Sequence, residues 1–215
     1  AMKREPLLEG ERVVLYSSAP LAGALAMLPS GWESHVLAWP LKRGWMQGRV
    51  SWEMMRRAPD VLFIPGQSLP AVLPRKSVTT IHDIGFHVVK DGYTSAQQRA
   101  QRTATTRAAK RATKILAPSA FTAEELAREY HVASDRIAVT PLAADPSVFH
   151  KIDDATVTQI RAKYRIGYNY FFYVGRLETK KNIATLIRAF DMYKSTRGIG
   201  DPFELVLAGK PGVGA

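Results

Sequence analysis

Three cations follow an apolar run in the segment YFFYVGRLETKKN, residues 170–182. Arg176 comes directly after the run, and Lys180 and Lys181 stand a few residues further on. An arginine presents a planar two-pronged donor and a lysine a mobile point charge, and both bind phosphate oxygens. If Asn182 caps a helix here, the free backbone N–H groups of its first turn add to the attraction. The pattern favours an anionic ligand such as a diphosphate, while a solvated basic loop remains the alternative.

A histidine stands at the end of a second apolar run, in TTIHDIGF, residues 79–86. An imidazole titrates near neutral pH, so His82 can donate a hydrogen bond or move a proton. A purely structural histidine is an equal alternative, and the neighbouring Asp83 can pair locally with a backbone N–H instead of sharing the site. No serine or cysteine nucleophile motif accompanies them. His87 does not have the spacing of an HExxH site, so we expect no metal here.

The other candidate residues are identified by the elements that must position them. Strand-like and helix-like stretches alternate along the chain, which predicts a parallel sheet with helices on its faces. In open sheets of this kind, ligands bind just beyond the carboxyl ends of the strands. Besides the residues above, we expect a cleft to be lined by the residues that follow apolar runs: Gly66, Asp83, Ser119, Gly175 and Gly209.

The individual elements follow from local composition. Strands are predicted within residues 12–18, 34–39, 59–66, 76–86, 114–119, 136–149, 170–177 and 203–209. Helices are predicted within residues 50–58, 94–116, 122–132, 155–166 and 182–196. Thr94 or Ser95 is suited to cap the longest helix, and Thr122 with Glu125 forms a capping-box pattern at the next one. Residues 142–152 lack periodicity, which indicates a domain boundary there.

The composition is that of a soluble globular protein. The 215 residues are 46% hydrophobic and 23% charged, and no apolar run approaches the roughly 18 residues of a membrane-spanning helix. The absence of cysteine excludes disulfides and thiolate metal sites and fits a cytoplasmic protein. The net charge of +11 favours anionic partners, namely phosphates, nucleic acid or an acidic membrane face.

The predicted helix 94–116 is basic and carries no acidic residue. Its cations are Arg99, Arg102, Arg107, Lys110, Arg111 and Lys114. Because members such as Lys110 and Lys114 are four residues apart, they share a broad face. This face is suited to bind nucleic acid or to make peripheral contact with the inner surface of an anionic membrane. An ordinary solvated face is the favoured interpretation, because few large apolar residues are present to insert into a bilayer.

The segment GKPGVGA begins like the phosphate-binding loop G-x-x-x-x-G-K-[ST], with Gly209 and Gly214 at its two glycine positions. Ala215 stands where the lysine of that motif is required, so the lysine and hydroxyl that would hold phosphate and magnesium are absent. We therefore do not expect a phosphate-binding loop of this type here.

Taken together and in order, five segments resemble the family-4 retaining glycosyltransferases of the GT-B fold. They are DVLFIPGQSLP, VTTIHDIGFH, AAKRATKILAPSAFTAEELAREYHVASDRIAVTPLAADPSVF, YFFYVGRLETKKNIATLIRAF and FELVLAGK. The resemblance covers about residues 50–210. It implies an α/β architecture in which a Rossmann-like parallel sheet flanked by helices is followed by the first part of a second Rossmann-like domain.

The resemblance also implies roles for the two parts of the chain. Residues 1–148 are expected to be the acceptor-side domain without its usual first strand, and residues 149–215 the truncated start of the nucleotide-sugar-binding domain. Arg176 and Lys181 match the family's pair that holds the donor diphosphate. His82 matches the histidine that contacts the transferred sugar. No metal or cofactor is expected, and no residue of this sequence can be assigned to the family's pair of donor-binding glutamates.

The function implied is that of a hexosyltransferase fragment, inactive alone, acting between a nucleotide-sugar donor and a sugar or lipid-linked acceptor. A cytoplasmic location is expected, either free or in peripheral contact with the inner face of the membrane. An open sheet edge in the short second domain predicts oligomerisation or domain swapping. The alternatives are a basic nucleic-acid-binding α/β module and a GT-B sugar-nucleotide epimerase.

Overall fold

The computed structural model describes residues 6–89, 92–198 and 200–212. Its strands are β1 Val13–Ser17, β2 Trp32–Val36, β3 Val61–Ile64, β4 Lys76–Thr80, β5 Lys114–Ala117, β6 Ile137–Val139, β7 Tyr170–Val174 and β8 Glu204–Ala208. Its α-helices are α1 Ser51–Arg56, α2 Ser95–Arg111, α3 Ala120–Tyr130, α4 Asp154–Tyr164 and α5 Ile183–Arg197. Every pairing between these strands is parallel, which confirms the predicted α/β class. Across the same residues, no helix has the length and apolar character that crossing a bilayer demands.

The described strands form three parallel sheets. The largest has the order β3-β4-β5-β6, and β1-β2 and β7-β8 are two-stranded. Short runs such as VLFI of β3 and KILA of β5 form strands of the large sheet, because β-branched and long aliphatic side chains pack well on a pleated surface. Parallel pairing requires crossover connections, and α2 and α3 supply two of them.

The chain divides into two compact units, each discontinuous in sequence. One comprises Ala1–His82 with Ala104–Thr140, and the other comprises Asp83–Thr103 with Pro141–Ala215. Residues 83–103 therefore group with the C-terminal part of the chain. The roles assigned above to residues 1–148 and 149–215 stay predictions.

The first unit has a closed apolar core on the large sheet. Ile81 just after β4, Ile115 of β5 and Leu126 of α3 are completely excluded from solvent. Ala108 and Ala109 of α2 are also buried, and their small side chains allow the helix backbone to approach the sheet closely. This core holds the strand ends that carry His82 and Ser119.

The C-terminal part of the second unit is much more open. Among the residues described between 141 and 212, Glu178 alone is buried. Phe171 of β7 contacts Phe203, at 5.3 Å between ring centroids, and Tyr193 of α5, at 5.5 Å. These aromatic contacts attach α5 to the β7-β8 pair, while Phe172 and Val174 remain exposed.

Two predictions about the elements were wrong in detail. Helix α2 ends at Arg111, and Lys114 opens β5 opposite Val78, so Lys110 and Lys114 do not share a helix face. Ser119, not Thr122, caps α3: its hydroxyl accepts a hydrogen bond from the Thr122 backbone N–H at 3.1 Å. The serine has the extended backbone of an N-cap, whereas Thr122 is already inside the first turn. At α2 the prediction holds, since Thr94 and Gln97 form a reciprocal capping box.

Candidate functional site

Three neighbouring strands of the large sheet bring predicted site residues together at their carboxyl ends. Strands β3, β4 and β5 end just before Pro65, Ile81 and Pro118, so the residues that follow meet at their carboxyl ends. His82 Nε2 lies 3.2 Å from the Pro65 carbonyl oxygen, and Thr79 Oγ1 donates a 2.6 Å hydrogen bond to the Gly66 carbonyl. The structure therefore places Gly66 and His82 side by side.

The contact to Pro65 gives the two nitrogens of the His82 ring different roles. A carbonyl oxygen only accepts hydrogen bonds, so Nε2 must carry a proton to bond with it. In the neutral ring this leaves Nδ1 as an acceptor, on a residue that is exposed. His82 thus offers a fixed orientation and one accessible nitrogen at the strand end.

Ser119 and Asp83 both make local hydrogen bonds. The Ser119 hydroxyl caps α3, and Thr122 Oγ1 lies 3.5 Å from the His82 carbonyl oxygen, so the start of α3 is next to His82. Asp83 follows in the chain, and its Oδ1 accepts a hydrogen bond from Gly85 N at 2.9 Å. Asp83 therefore pairs with a local backbone N–H, which is the alternative role that its position in the sequence suggested.

The second group of predicted residues lies in two loops of the other unit. We call residues 175–182 the β7 loop and residues 209–212 the β8 loop. Gly175 N donates to the Ala208 carbonyl at 2.9 Å, and Leu177 N donates to the Lys210 carbonyl at 3.0 Å. These bonds continue the β7-β8 ladder beyond the strands and hold the loops together.

Glycine is required where the two loops meet. A Cβ on Gly209 would lie 1.7 Å from the Gly175 carbonyl oxygen, which is a backbone atom that cannot rotate away. A Cβ on Gly175 would lie 2.7 Å from the Tyr173 hydroxyl. The predicted cleft-lining glycines 175 and 209 are thus in contact with each other, and their lack of side chains sets the path of the β7 loop.

The centre of the β7 loop is a buried acid that the sequence reasoning missed. Glu178 is 6% exposed, with Oε2 at 3.4 Å from Arg176 Nε and Oε1 at 3.3 Å from Lys180 Nζ. Oε1 has no partner with hydrogen-bond geometry, so its contact with Lys180 is an ion pair alone. The signal that would have found Glu178 is its place two residues from Arg176 and two from Lys180, as the one acid of this basic segment.

The two lysines of the β7 loop differ. Lys180 Nζ also lies 4.7 Å from the centre of the Tyr93 ring. Partial desolvation acts to lower its pKa, but the neighbouring Glu178 carboxylate together with Tyr93 outweighs this and raises the pKa of Lys180 above its ordinary value. Lys181 is exposed, and its ammonium group makes no hydrogen bond or ion pair with any residue that the structure describes.

Asn182 occupies the N-cap position just before α5, but its side chain makes no capping hydrogen bond. Its backbone is left-handed, with φ of 55°, and its carbonyl accepts a hydrogen bond from Thr185 N at 3.2 Å. The predicted side-chain cap was wrong, because the left-handed conformation replaces the extended one that N-caps need.

The sequence profile of Glycosyltransferase Family 4 matches residues 14–148, which is more than half of the chain. The chain belongs to this family. The matched part contains Gly66, His82 and Ser119 but ends before the β7 loop. The family predicted from the sequence is therefore confirmed.

Individual relatives agree with this family. The chain is 27% identical over 165 residues to O-antigen chain mannosyltransferase B of Escherichia coli, covering 76% of this chain and 42% of that protein. The crystal structure of a glycosyltransferase from Rickettsia africae ESF-5 aligns over 93% of this chain and 52% of its own, with a TM-score of 0.54 and 14% identity. The chain thus spans about half the length of these relatives, and the structural likeness supports the fold.

Two further features bear on the site of this family member. Within the described ranges, no group of three or more histidine, cysteine, aspartate or glutamate residues is arranged to hold a metal ion. The basic residues of the predicted helix 94–116 are partly engaged: Arg107 of α2 binds Gln47, Arg111 of α2 donates to the Ala71 carbonyl at 2.7 Å, and Lys114 of β5 binds the Asp135 carbonyl. The continuous basic face expected of this region is therefore smaller than its composition indicated.

Proposed function

We propose that the chain contributes the acceptor-side domain and the opening of the donor-side domain of a retaining hexosyltransferase. The donor is a nucleotide-sugar and the acceptor is a sugar or lipid-linked sugar. Family membership supports the transfer reaction. The relative from E. coli is named as a mannosyltransferase, so mannose is the first hexose to test.

The observation that carries the proposal is that the cations of the β7 loop differ in whether they are already paired. Glu178 and Tyr93 occupy Lys180, whereas the Lys181 ammonium has no partner among the described residues. Arg176 contacts Glu178 through Nε, while its side chain is 65% exposed, which leaves its Nη groups for a ligand. One free ammonium and one exposed guanidinium fork are suited to a diphosphate.

Glu178 acts as a positioning residue in this proposal. A carboxylate beside a diphosphate repels it, so Glu178 does not bind the ligand. The Glu178 carboxylate packs closely against Gly212: a Cβ on Gly212 would lie 2.6 Å from Oε2. This close packing fixes the carboxylate in place. The fixed carboxylate in turn holds Arg176 at the end of β7, which reduces the side-chain entropy that the arginine loses on binding.

The two cations act on the leaving group. When the bond between the sugar and the diphosphate breaks, negative charge grows on the departing nucleotide. Arg176 and Lys181 stabilise this charge, and a contact that strengthens during the reaction raises kcat. His82 acts on the sugar side: its ring is oriented through Nε2, and the Nδ1 acceptor is available to a sugar hydroxyl.

The test is calorimetric titration of the chain with uridine and guanosine diphosphates. Lys181→Ala removes a charge-assisted contact worth about 1.5–3 kcal/mol, so the Kd should rise roughly ten- to a hundred-fold. Arg176→Lys keeps the charge but loses the fork, and should also weaken binding clearly. His82→Ala should leave diphosphate binding nearly unchanged. In a longer protein with a complete donor-side domain, it should lower the yield of glycosylated product measured by mass spectrometry.

Lys180→Ala is the matched control, because this lysine is adjacent in sequence but already paired with Glu178. We expect a small effect on diphosphate binding. If Lys180→Ala weakens binding as much as Lys181→Ala, the two roles are reversed. If neither Arg176 nor Lys181 affects binding, the β7 loop is a solvated basic loop and the proposal fails. Dependence of turnover on an added acceptor distinguishes transfer from epimerisation.

A further inference from the structure

A cavity of about 450 Å³ lies at the carboxyl end of β2, and none of its residues has a role in the proposal above. Its polar and aromatic wall consists of His35, Arg49, Trp52, Glu53, Arg56 and Arg57. The volume falls within the range of small-molecule sites, roughly 300–1,000 Å³. Its place at the end of a parallel strand is where α/β sheets bind ligands.

The charges in this cavity do not balance. Arg49 and the buried Glu53 form an ion pair at 2.7 Å, which accounts for one arginine and for the single acid of the wall. Arg56 and Arg57 are both exposed, and neither has a carboxylate partner within the described part of the chain. Two uncompensated positive charges therefore face one concave space.

The two free arginines are constrained by their surroundings. The Arg56 guanidinium lies 5.9 Å from the centre of the Trp52 ring, and Trp52 itself is 52% exposed. Arg57 follows α1 directly, and its backbone N–H donates a 2.8 Å hydrogen bond to the Glu53 carbonyl, which fixes where its side chain leaves the helix. A guanidinium over an aromatic face keeps its N–H edge available, so the fork is partly pre-organised for an anion.

We propose that this cavity is a second anion site, which binds the phosphate or diphosphate group of a small ester through Arg56 and Arg57. Paired guanidinium forks favour phosphate because two parallel N–H···O bonds form to each. Trp52 provides an apolar surface for the organic part of the ester. Arg49 and Glu53 also line the cavity, and because they pair with each other they form a neutral part of its wall. The site shares no residue with the β7 loop and does not rest on the proposed function.

The test uses inorganic pyrophosphate and nitrogen-15 spectra of the 215-residue chain. The indole signal of Trp52 should move as pyrophosphate is added. In the double variant Arg56→Gln/Arg57→Gln the affinity read from this signal should fall at least roughly tenfold, because two charge-assisted contacts are lost. Both side chains are exposed, so thermal unfolding of the variant should match that of the parent and show that the fold is kept.

Two controls make the assignment specific. Arg75→Gln removes an exposed arginine elsewhere on the chain, and should leave the Trp52 titration unchanged. Lys181→Ala should also leave it unchanged, even if that variant loses diphosphate binding at the β7 loop. The proposal is overturned if the Trp52 signal does not respond, or if the double variant binds as tightly as the parent.

Vesicles distinguish a free ester from a lipid headgroup as the source of the phosphate. Sedimentation with phosphatidylcholine vesicles is compared with sedimentation after phosphatidylglycerol is added. Binding to the anionic vesicles that is lost in the double variant supports a headgroup in this cavity. If only pyrophosphate binding depends on Arg56 and Arg57, the ligand is a free ester. If neither depends on them, the site does not exist.

Discussion

The large-sheet unit and the C-terminal residues 141–212 are built in opposite ways. In the first, Ile81, Ile115 and Leu126 are fully excluded from solvent. In the second, the buried residue found among the described positions is an acid, Glu178. The sheet unit is therefore stabilised mainly by apolar burial. The β7 and β8 loops are held by backbone hydrogen bonds, close glycine contacts and an ion pair.

This difference separates stability from ligand chemistry. Burial of aliphatic side chains contributes most of the free energy of folding and tolerates little change. Loops fixed by polar contacts contribute less to stability but present cations in defined places. The comparison predicts that substitutions in the sheet core will mainly lower the free energy of unfolding. Substitutions in the loops should change the free energy of unfolding less and ligand binding more.

The largest expected effect is in the sheet core. Ile115→Ala leaves a cavity beneath a completely buried strand residue, and should lower the free energy of unfolding by about 2–5 kcal/mol. Ile187→Ala, on α5, changes a side chain that is 48% exposed and should stay within about 0.5 kcal/mol. Urea unfolding is followed by tryptophan fluorescence for the first unit and by amide exchange at β7-β8 for the second.

All four tryptophans, at positions 32, 39, 45 and 52, belong to the first unit, so fluorescence reports on it alone. A large loss of β7-β8 protection in Ile187→Ala would show that α5 is as tightly packed as the sheet core. That result would contradict the comparison.

The next effect contrasts two predicted cleft glycines. Gly209→Ala forces a Cβ against the Gly175 carbonyl oxygen, so the β7 and β8 loops must separate, at a cost of about 1–3 kcal/mol. Gly66→Ala places a Cβ where no atom lies within 4 Å, and should be close to neutral. Amide exchange at Leu177 and Gly212 measures the first change, since both N–H groups bond across the two loops.

Gly209→Ala should also weaken nucleoside diphosphate binding, because Arg176 and Lys181 depend on the loop path. Unchanged exchange at Leu177 together with unchanged binding would mean that the loops do not need this contact. Equal effects of the two glycine variants would remove the distinction between the sheet edge and the loops.

The sequence was sufficient for the fold class, because alternating apolar and helical stretches permit few arrangements. It also placed His82 at a strand end, since strand ends follow directly from apolar runs. It did not reveal Glu178, because burial of an acid depends on loops that approach in space. The cap of α3 was misassigned for a similar reason: Ser119 and Thr122 both suit a cap, and only the backbone conformation decides between them.

A smaller effect is expected at the cap of α3. Ser119→Ala removes the acceptor for the Thr122 N–H and should cost about 1 kcal/mol, whereas Ser119→Asp should retain the cap. Thermal unfolding followed by tryptophan fluorescence measures both. If Ser119→Ala is neutral while Ser119→Asp is destabilising, the hydroxyl serves another purpose than capping.

The smallest effect concerns the exposed cap of α4, in the region without an apolar core. Asp153 Oδ1 accepts from Thr156 N and Oδ2 from Thr156 Oγ1, both at 2.8 Å. These hydrogen bonds, the backbone one first, lower the pKa of Asp153 below its ordinary value. Because the folded pKa is the lower one, the stabilisation is complete above the unfolded pKa of about 4 and is lost as the pH falls through the folded value.

Protection of the Thr156 amide should therefore weaken on acidification through this range, while tryptophan fluorescence, which reports the other unit, should not follow it. Asp153→Asn keeps an oxygen acceptor but cannot ionise, so its Thr156 protection should lose this component of the pH dependence. The measurement is amide exchange, corrected for the intrinsic rate at each pH. If Asp153→Asn keeps the full pH dependence, another acid controls α4, and the cap acts through its geometry and not its charge.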